Sequence, residues 1–126
     1  MLYRNILLID DDSEDQEIFK TALSQISEDL TCEACADPRE ALQKLEGRVL
    51  NPDVIFLDLN MPIMSGQEFL MEAKKKNTIK EIPVIIFSTS ANPTTIKLTK
   101  ELGAIDFITK PDRFDTLVNI LRPIIS

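Results

Sequence analysis

Five polar side chains lie directly after short apolar runs, and their chemical types suit the transfer of a phosphoryl group. An acidic pair follows the first run, and single residues follow three later ones: Asp10 and Asp11, then Asp58, Ser88 and Lys110. A carboxylate can attack phosphorus, so Asp58 is a candidate nucleophile. A lysine ammonium and a serine hydroxyl can hold phosphoryl oxygens by hydrogen bonds. The chain contains no histidine, which excludes a Ser-His-Asp or Cys-His catalytic group.

Three converging carboxylates need something that offsets their repulsion. At an effective dielectric near 20, two charges about 4 Å apart repel by roughly 4 kcal/mol. A raised pKa on one member is one solution, and a hard divalent cation with oxygen ligands is another. The donor types favour Mg²⁺, with Mn²⁺ as a substitute. Because no general base is available to activate water, we expect such a site to accept a phosphoryl group and to lose it slowly.

The order of the elements decides whether these side chains can meet. Short apolar runs alternate with amphipathic segments, a pattern typical of a parallel sheet covered on both faces. We predict strands at residues 5–9, 30–36, 53–57, 82–87 and 105–108. We predict that the first four helices begin at about Ser13, at Asp37-Pro38, at Ser65-Gly66 and at Asn92-Pro93, and that Glu40 completes the cap of the second. The fourth helix has an irregular apolar stripe of Ile96, Leu98 and Leu102. A fifth helix is predicted from the apolar face of Phe114, Leu117, Val118 and Leu121.

Five β-α units predict a doubly wound α/β fold with a five-stranded parallel sheet. Right-handed crossovers make the strands parallel, so the polar groups at their carboxyl ends share one edge. We adopt the strand order 2-1-3-4-5 as the commonest solution for five such units, since the pattern alone does not determine it. In that order strands 1 and 3 flank the reversal point, where open parallel sheets bind ligands.

The composition limits the class of protein. The 126 residues fit one domain, and we expect a single domain over residues 1–126 with no output domain. Acidic residues outnumber basic ones by 21 to 14, for a net charge of −7, so the basic footprint of a nucleic-acid-binding protein is missing. No apolar run approaches the roughly 20 residues that span a bilayer, and no signal peptide is recognisable. We therefore expect a cytoplasmic protein without membrane insertion or direct nucleic-acid binding.

Two further features are interpreted as structural. Cys32 and Cys35 form a C-x-x-C pair, but three positions apart on a strand their side chains point to opposite faces. No second cysteine pair or histidine could complete a zinc site. Asp12 and Asp15, in the first turn of the first helix, are interpreted as surface residues that complement the helix dipole.

Four motifs in order resemble the receiver domain of two-component signalling, in its stand-alone form, over essentially the whole chain. They are Ile6-Leu7-Leu8-Ile9-Asp10-Asp11, Phe56-Leu57-Asp58-Leu59-Asn60-Met61-Pro62 with Ser65-Gly66, Pro83-Val84-Ile85-Ile86-Phe87-Ser88, and Gly103-Ala104 followed by Phe107-Ile108-Thr109-Lys110-Pro111. The resemblance implies a flavodoxin-like (βα)5 fold and a regulatory phosphoprotein. Such a domain is a response regulator that catalyses only its own phosphorylation and slow dephosphorylation.

The resemblance also implies roles for individual residues. Asp58 is the phosphorylated residue, and Asp11, Asp58 and the backbone carbonyl of Asn60 ligate Mg²⁺ directly. Asp10 acts through metal-bound water, and Lys110 binds the phosphoryl group. In the implied switch, the Ser88 hydroxyl swings to the phosphoryl group and the Phe107 ring moves inward behind it. Asn60 and Ser90 tune the dephosphorylation rate, and the Lys110-Pro111 peptide is often cis.

The implied function is signal transmission between proteins. A histidine kinase or phosphotransfer protein donates the phosphoryl group, and phosphorylation shifts the surface formed by helix 4, strand 5 and helix 5. We expect that surface to control a downstream target protein, or the phosphoryl group to pass along a relay. The protein is expected to be a monomer or a weak phosphorylation-dependent dimer.

Two alternatives remain open from the residues alone. A haloacid-dehalogenase-like phosphatase would use Asp10-x-Asp12, but it needs a late acidic pair, for which Asp112 and Asp115 at a helix start are poor candidates. A receiver-like scaffold would bind partners without accepting phosphate. Steady turnover of a phosphate ester would favour the first, and failure of Asp58 to gain a phosphoryl group would favour the second.

Overall fold

The computed structural model describes residues 2–125, which form five strands alternating with five helices. The strands are β1 (Asn5–Ile9), β2 (Thr31–Cys35), β3 (Val54–Leu57), β4 (Val84–Ser88) and β5 (Asp106–Thr109). The helices are α1 (Ser13–Ile26), α2 (Pro38–Glu46), α3 (Gly66–Lys75), α4 (Pro93–Glu101) and α5 (Phe114–Ile125). Every predicted element is confirmed. Within residues 2–125, no helix is both long and apolar enough to cross a membrane.

The five strands form one parallel sheet in the order β2-β1-β3-β4-β5. The doubly wound order adopted from the sequence is therefore confirmed. In the middle of the sheet, Ile9 lies opposite Cys35 of β2 on one side and opposite Leu57 of β3 on the other. This register brings the residue after β1, Asp10, beside the residue after β3, Asp58.

Alternate residues of the central strands pack on opposite faces of the sheet. Leu7 belongs to a buried cluster with residues of α2 and α3, whereas Leu8 belongs to one with residues of α1 and α5. In the second cluster the Phe19 ring lies 5.0 Å from that of Phe56 and 5.5 Å from that of Phe87. Burying side chains of this size stabilises by about 1.5–3 kcal/mol each. The packing fixes α1, and with it the loop after β1, against β3 and β4.

Side-chain caps begin four of the helices, and they include the N-cap predicted at Asp37. The capping residues are Asp12, Asp37, Ser65 and Asn92. The prediction that Glu40 completes the cap of α2 is not supported, since its Oε1 lies 2.9 Å from Nζ of Lys44, one turn further along. A reciprocal capping box instead begins α3, where the side chains of Ser65 and Glu68 each accept a backbone N–H of the other.

The fourth helix is the least buried of the five. Thr99 is its one fully buried residue, and Leu98 is 42% exposed. The predicted stripe was therefore wrong for Leu98. A separation of two residues turns the side chain by about 200° around a helix, so Leu98 points away from the side of Ile96. Ile96, Thr99 and Leu102, spaced by three, face the sheet instead.

The two cysteines are structural, as predicted. Cys32 packs against the cluster of α1 and α5, and Cys35 belongs to the cluster of α2 and α3, so they lie on opposite faces of the sheet. Both are free thiols. Burial raises the pKa of Cys32 to about 12, which keeps its thiol protonated and unreactive.

The loop between β3 and α3 approaches the backbone of the site closely at Gly66. Its N–H donates to the carbonyl of Leu59 at 3.1 Å. A Cβ at Gly66 would lie 2.5 Å from the carbonyl oxygen of Asp58 and 2.7 Å from Cα of Leu59. Glycine is the one residue that permits this approach without a backbone shift.

We predict that Gly66→Ala lowers the free energy of unfolding by about 1–3 kcal/mol, because the backbone around Asp58 must move. Gly47→Ala is the matched control, since the nearest atom to its added Cβ is the Gln43 carbonyl oxygen at 3.3 Å. Urea denaturation followed by circular dichroism measures both. Equal losses of unfolding free energy in the two variants would show that the close backbone contact at Gly66 does not account for the effect.

Candidate functional site

The carboxyl ends of the strands bring three carboxylates together. Asp10, Asp11 and Asp58 each offer an oxygen, and these three oxygens all lie within 4.8 Å of one another. The placement follows from the backbone, because the hydrogen-bond ladder continues past the strand ends. The N–H of Asp58 donates to the carbonyl of Ile9 at 3.0 Å, and that of Asp10 donates to the carbonyl of Cys35 at 3.0 Å. The predicted convergence of the three carboxylates is thus present.

Asp10 is the most buried member, at 1% exposure. Its Oδ1 accepts the N–H of Asp12 at 3.0 Å, and its Oδ2 accepts from Nζ of Lys110 at 2.8 Å. Burial raises the pKa of Asp10 above its ordinary value, and the hydrogen bonds from Lys110 and Asp12 offset this only in part. Asp10 is therefore held in place by protein groups on both of its oxygens.

Asp58 is also buried, at 5% exposure, but it has weaker partners. Its Oδ1 accepts the N–H of Asn60 at 3.4 Å and lies 3.8 Å from Nζ of Lys110. Burial raises the pKa of Asp58, the Lys110 charge lowers it, and the Asp10 charge raises it again. Asp11, by contrast, is exposed. The cluster of three carboxylates is thus open to solvent on the side of Asp11.

Lys110 supplies the positive charge of the site from the end of β5. The backbone N–H of Lys110 donates to the carbonyl of Ser88 at 2.9 Å, and the side-chain Nζ lies 5.6 Å from the centre of the Phe87 ring. Burial lowers the pKa of Lys110, but the hydrogen bonds with Asp10 and Asp15 and the nearby charges outweigh it, so the pKa is raised overall. The ammonium is therefore charged.

One site residue was interpreted wrongly from the sequence. Asp15 was expected to be a surface residue that complements the helix dipole, but its Oδ2 lies 2.8 Å from Nζ of Lys110. A carboxylate in the first helical turn is usually explained by the dipole alone, and its partner lies 95 residues away. No local sequence signal links Asp15 to Lys110. Asp12 is exposed and caps α1.

The fourth strand ends with a buried hydroxyl in a weak network. Ser88, which is fully buried, accepts from the Asn60 side chain at 3.5 Å and from the N–H of Ser90 at 3.4 Å. The Asn60 amide also donates to the Ser90 hydroxyl at 3.2 Å. Phe107 is half-buried against the cluster of α2 and α3, and it pairs with Ile86, two residues before Ser88. The residues predicted for the site therefore lie around the carboxyl ends of the strands, except Phe107, which lies within β5.

The donor set suits a hard divalent cation. The three clustered groups offer oxygen atoms alone, at a spacing that a single ion can bridge, and Mg²⁺ and Mn²⁺ prefer oxygen ligands. A bound cation would also favour the ionised forms of Asp10 and Asp58, whose pKa values are raised chiefly by burial. The expected cis peptide before Pro111 is not observed, because residues 2–125 contain no cis peptide bond.

Comparison with known proteins gives a consistent family. The response regulator receiver domain model matches residues 6–122. A protein-glutamate methylesterase/protein-glutamine glutaminase of Treponema denticola is 59% identical over 76 residues, which are 58% of this chain and 19% of that protein. The chain spans half or less of the length of the first three curated relatives that it matches.

Solved structures of similar length have the same fold. The phosphorylated cyanobacterial phytochrome response regulator RcpA superposes with a TM-score of 0.87 at 31% identity, covering 97% of this chain and 91% of that one. The Mn²⁺-bound response regulator Rcp1 superposes with a TM-score of 0.84 at 28% identity, covering 96% and 91%. Both likenesses extend over nearly the whole chain.

The buried charge of Asp58 should lower the stability of the protein when no divalent cation is present. Since its pKa is raised in the folded state, the ionised form costs free energy at neutral pH, and the cost disappears as the pH falls through that pKa. We predict that Asp58→Asn raises the thermal midpoint in chelator at pH 7 by roughly 3–6 °C, the shift that about 1 kcal/mol produces in a domain of this size. This rise in the thermal midpoint should become smaller as the pH is lowered.

Asp53→Asn is the control of opposite sign, at the other end of the same strand. Asp53 accepts the N–H groups of Arg4 and Asn5 at 2.9 and 2.8 Å, and these hydrogen bonds lower its pKa. Its ionised form therefore stabilises the protein, and that stabilisation is lost as the pH falls through the lowered pKa. Differential scanning fluorimetry from pH 7 to pH 4 compares the variants, and Asp53→Asn should be destabilised throughout this range, because the lowered pKa of Asp53 lies below it. A loss of stability in Asp58→Asn at pH 7 would contradict the argument.

Proposed function

The chain belongs to the response regulator receiver domain family, and from that premise we propose that it is a phosphoacceptor switch that takes a phosphoryl group onto Asp58 with Mg²⁺. The observation that carries the proposal is the placement of one lysine ammonium, 3.8 Å from Asp58 Oδ1, beside three clustered carboxylates. Receiver domains are regulatory parts of two-component systems. A histidine kinase or a phosphotransfer protein is therefore the proposed donor.

The residues present suit each part of a phosphoryl transfer. Asp10, Asp11 and Asp58, with the backbone carbonyl of Asn60, would hold Mg²⁺, which supplies positive charge to phosphoryl oxygens. An oxygen of Asp58 attacks phosphorus, the bond from phosphorus to the donor atom breaks, and the donor leaves with that electron pair. Lys110 and the Ser88 hydroxyl donate hydrogen bonds to the transferred oxygens. Mn²⁺ would substitute, and the Mn²⁺-bound state of the similar Rcp1 supports this.

The proposed acceptor should hold its phosphoryl group for longer than a hydrolase would. The chain has no histidine, and Asp10 is committed on both oxygens to Asp12 and Lys110. Asp10 is therefore poorly placed to act as the base that activates an attacking water. The Asn60 and Ser90 side chains, joined at 3.2 Å at the mouth of the site, are the groups proposed to set the rate of hydrolysis.

The phosphoryl group would act on the rest of the molecule through Ser88 and Phe107. The two present bonds of Ser88 are long, at 3.4 and 3.5 Å, so a charged phosphoryl oxygen would be the better partner. Movement of Ser88 would free space at the end of β4, two residues beyond Ile86, the partner of half-buried Phe107 in β5. We propose that the surface of α4, β5 and α5 changes in response and binds a downstream target protein.

Intact mass after incubation with acetyl phosphate and Mg²⁺ tests the acceptor assignment. We expect a gain of one phosphoryl group in the parent protein and in the control Asp53→Asn, since Asp53 lies at the opposite end of β3. Asp58→Asn should gain none, and chelation of the metal should abolish the gain. No gain in the parent protein would favour a binding scaffold, and turnover with Asp10 but not Asp58 essential would favour a phosphatase.

The switch proposal has a separate test. Ser88→Ala should still become phosphorylated on Asp58 but should lose at least half of the change in amide hydrogen exchange that phosphorylation produces in α4 and β5. Ser88→Thr, which keeps the hydroxyl, is the matched control and should retain the change. Hydrogen exchange with mass spectrometry measures each protein with and without acetyl phosphate. An unaltered response in Ser88→Ala would remove Ser88 from the switch.

A further inference from the structure

The ammonium of Lys110 is shared by two carboxylates on the side of α1. Its Nζ lies 2.8 Å from Oδ2 of Asp10 and 2.8 Å from Oδ2 of Asp15, and 3.8 Å from Oδ1 of Asp58. The lysine side chain is 11% exposed, so it depends on protein groups for its hydrogen bonds. Asp15 is thus a direct partner of the site's one cationic side chain, and the proposed phosphoryl transfer assigns it no role.

The Asp10 carboxylate cannot bind the Lys110 ammonium and a metal ion equally strongly at the same time. Each of its oxygens already accepts one hydrogen bond, Oδ1 from the Asp12 N–H and Oδ2 from Lys110, so a cation would have to share this carboxylate with the ammonium. A divalent cation near Asp10 draws on the same carboxylate and repels the ammonium. Lys110 then needs another anion. Asp58 is unsuitable, because the cation and the phosphorus need that carboxylate.

Asp15 is placed to be that anion. Its side chain is 35% exposed, against 1% for Asp10, so it remains partly hydrated. It lies in the first turn of α1, which begins at the Asp12 cap, and α1 is fixed to the sheet by the Phe19 ring. The carboxylate is therefore held next to Lys110 but outside the group of three that would bind the cation.

We propose that Asp15 is a positioning residue that retains Lys110 and so releases Asp10 to the divalent cation. The inference rests on the proposed function, since it concerns the metal of the same site. Without Asp15, the ammonium relies on Asp10, and a cation must compete with it. Asp15 then influences the affinity for Mg²⁺ through Lys110 and not by contact with the metal.

Calorimetric titration of the protein with Mg²⁺ alone, in the absence of any phosphoryl donor, tests the inference. Asp15→Ala should weaken Mg²⁺ binding by about 3- to 10-fold, the range that corresponds to one hydrogen bond. Glu14→Ala is the matched control. It removes an equal charge from the exposed neighbouring position of the same helical turn and should change the affinity by less than about 2-fold.

A double-mutant cycle separates positioning from simple charge. Lys110→Met should bind Mg²⁺ at least as tightly as the parent protein, because the competitor for Asp10 is gone. Adding Asp15→Ala to Lys110→Met should then change the affinity by less than about 2-fold. If the same loss persists without Lys110, Asp15 acts through space as a charge and the inference is wrong.

The remaining outcomes distinguish this inference from the proposed function. If the parent protein does not bind Mg²⁺, the proposed function and the inference both fail. If the parent binds Mg²⁺ and Asp15→Ala binds it within 2-fold as tightly, the inference alone fails. Asp15→Asn, which keeps an acceptor oxygen but not the charge, should show a smaller loss than Asp15→Ala.

Discussion

The crowding of negative charge around one lysine is the constraint on which the site depends. Asp10 and Asp58 are buried, and burial raises the pKa of both. The only positive side chain that reaches them among residues 2–125 is Lys110, which is in contact with Asp10, Asp15 and Asp58 at 4 Å or less. A buried carboxylate without a partner costs several kcal/mol. The arrangement therefore favours whatever adds positive charge next to Asp58, such as a divalent cation.

The parallel sheet makes such crowding possible. Strands buried on both faces have no polar positions of their own, so polar residues collect where the strands end. Backbone hydrogen bonds that continue beyond the strands, to Asp10, Asp58 and Lys110, place those residues in register with the sheet. These bonds join the three residues to the buried sheet, whereas α4 has Thr99 as its one fully buried residue and therefore less packing to hold it. A firmly positioned Asp58 beside a weakly packed helix is compatible with the proposed switch.

Most of this arrangement could be predicted from the sequence because it depends on local signals. Apolar runs, the N-caps Asp37 and Asn92, and the acidic pair after the first strand all operate within a few residues, and parallel strands then bring Asp58 to Asp10. The strand order was adopted because it is the commonest one, since no local signal distinguishes it from other orders. Asp15 was not predicted as a site residue because its partner, Lys110, is remote in sequence. Leu98 was wrongly assigned to the buried stripe of α4, because its apolar type favours burial while its angular position on the helix does not. Glu40 does not complete the cap of α2, because its carboxylate pairs with the Lys44 ammonium instead.

The same electrostatics indicate how a phosphoryl group on Asp58 would act. It adds about −1.5 to −2 charges at neutral pH, close to an ammonium already shared among three carboxylates. Each N–H of Lys110 that turns to the phosphoryl oxygens is withdrawn from Asp10 or Asp15. The Ser88 hydroxyl gives up only two long bonds to join it, so its movement costs less than that of Asp10, which is bonded on both oxygens. The change should therefore propagate through β4 towards Phe107 and α4, where the least packing opposes it, and the acidic edge itself should stay in place.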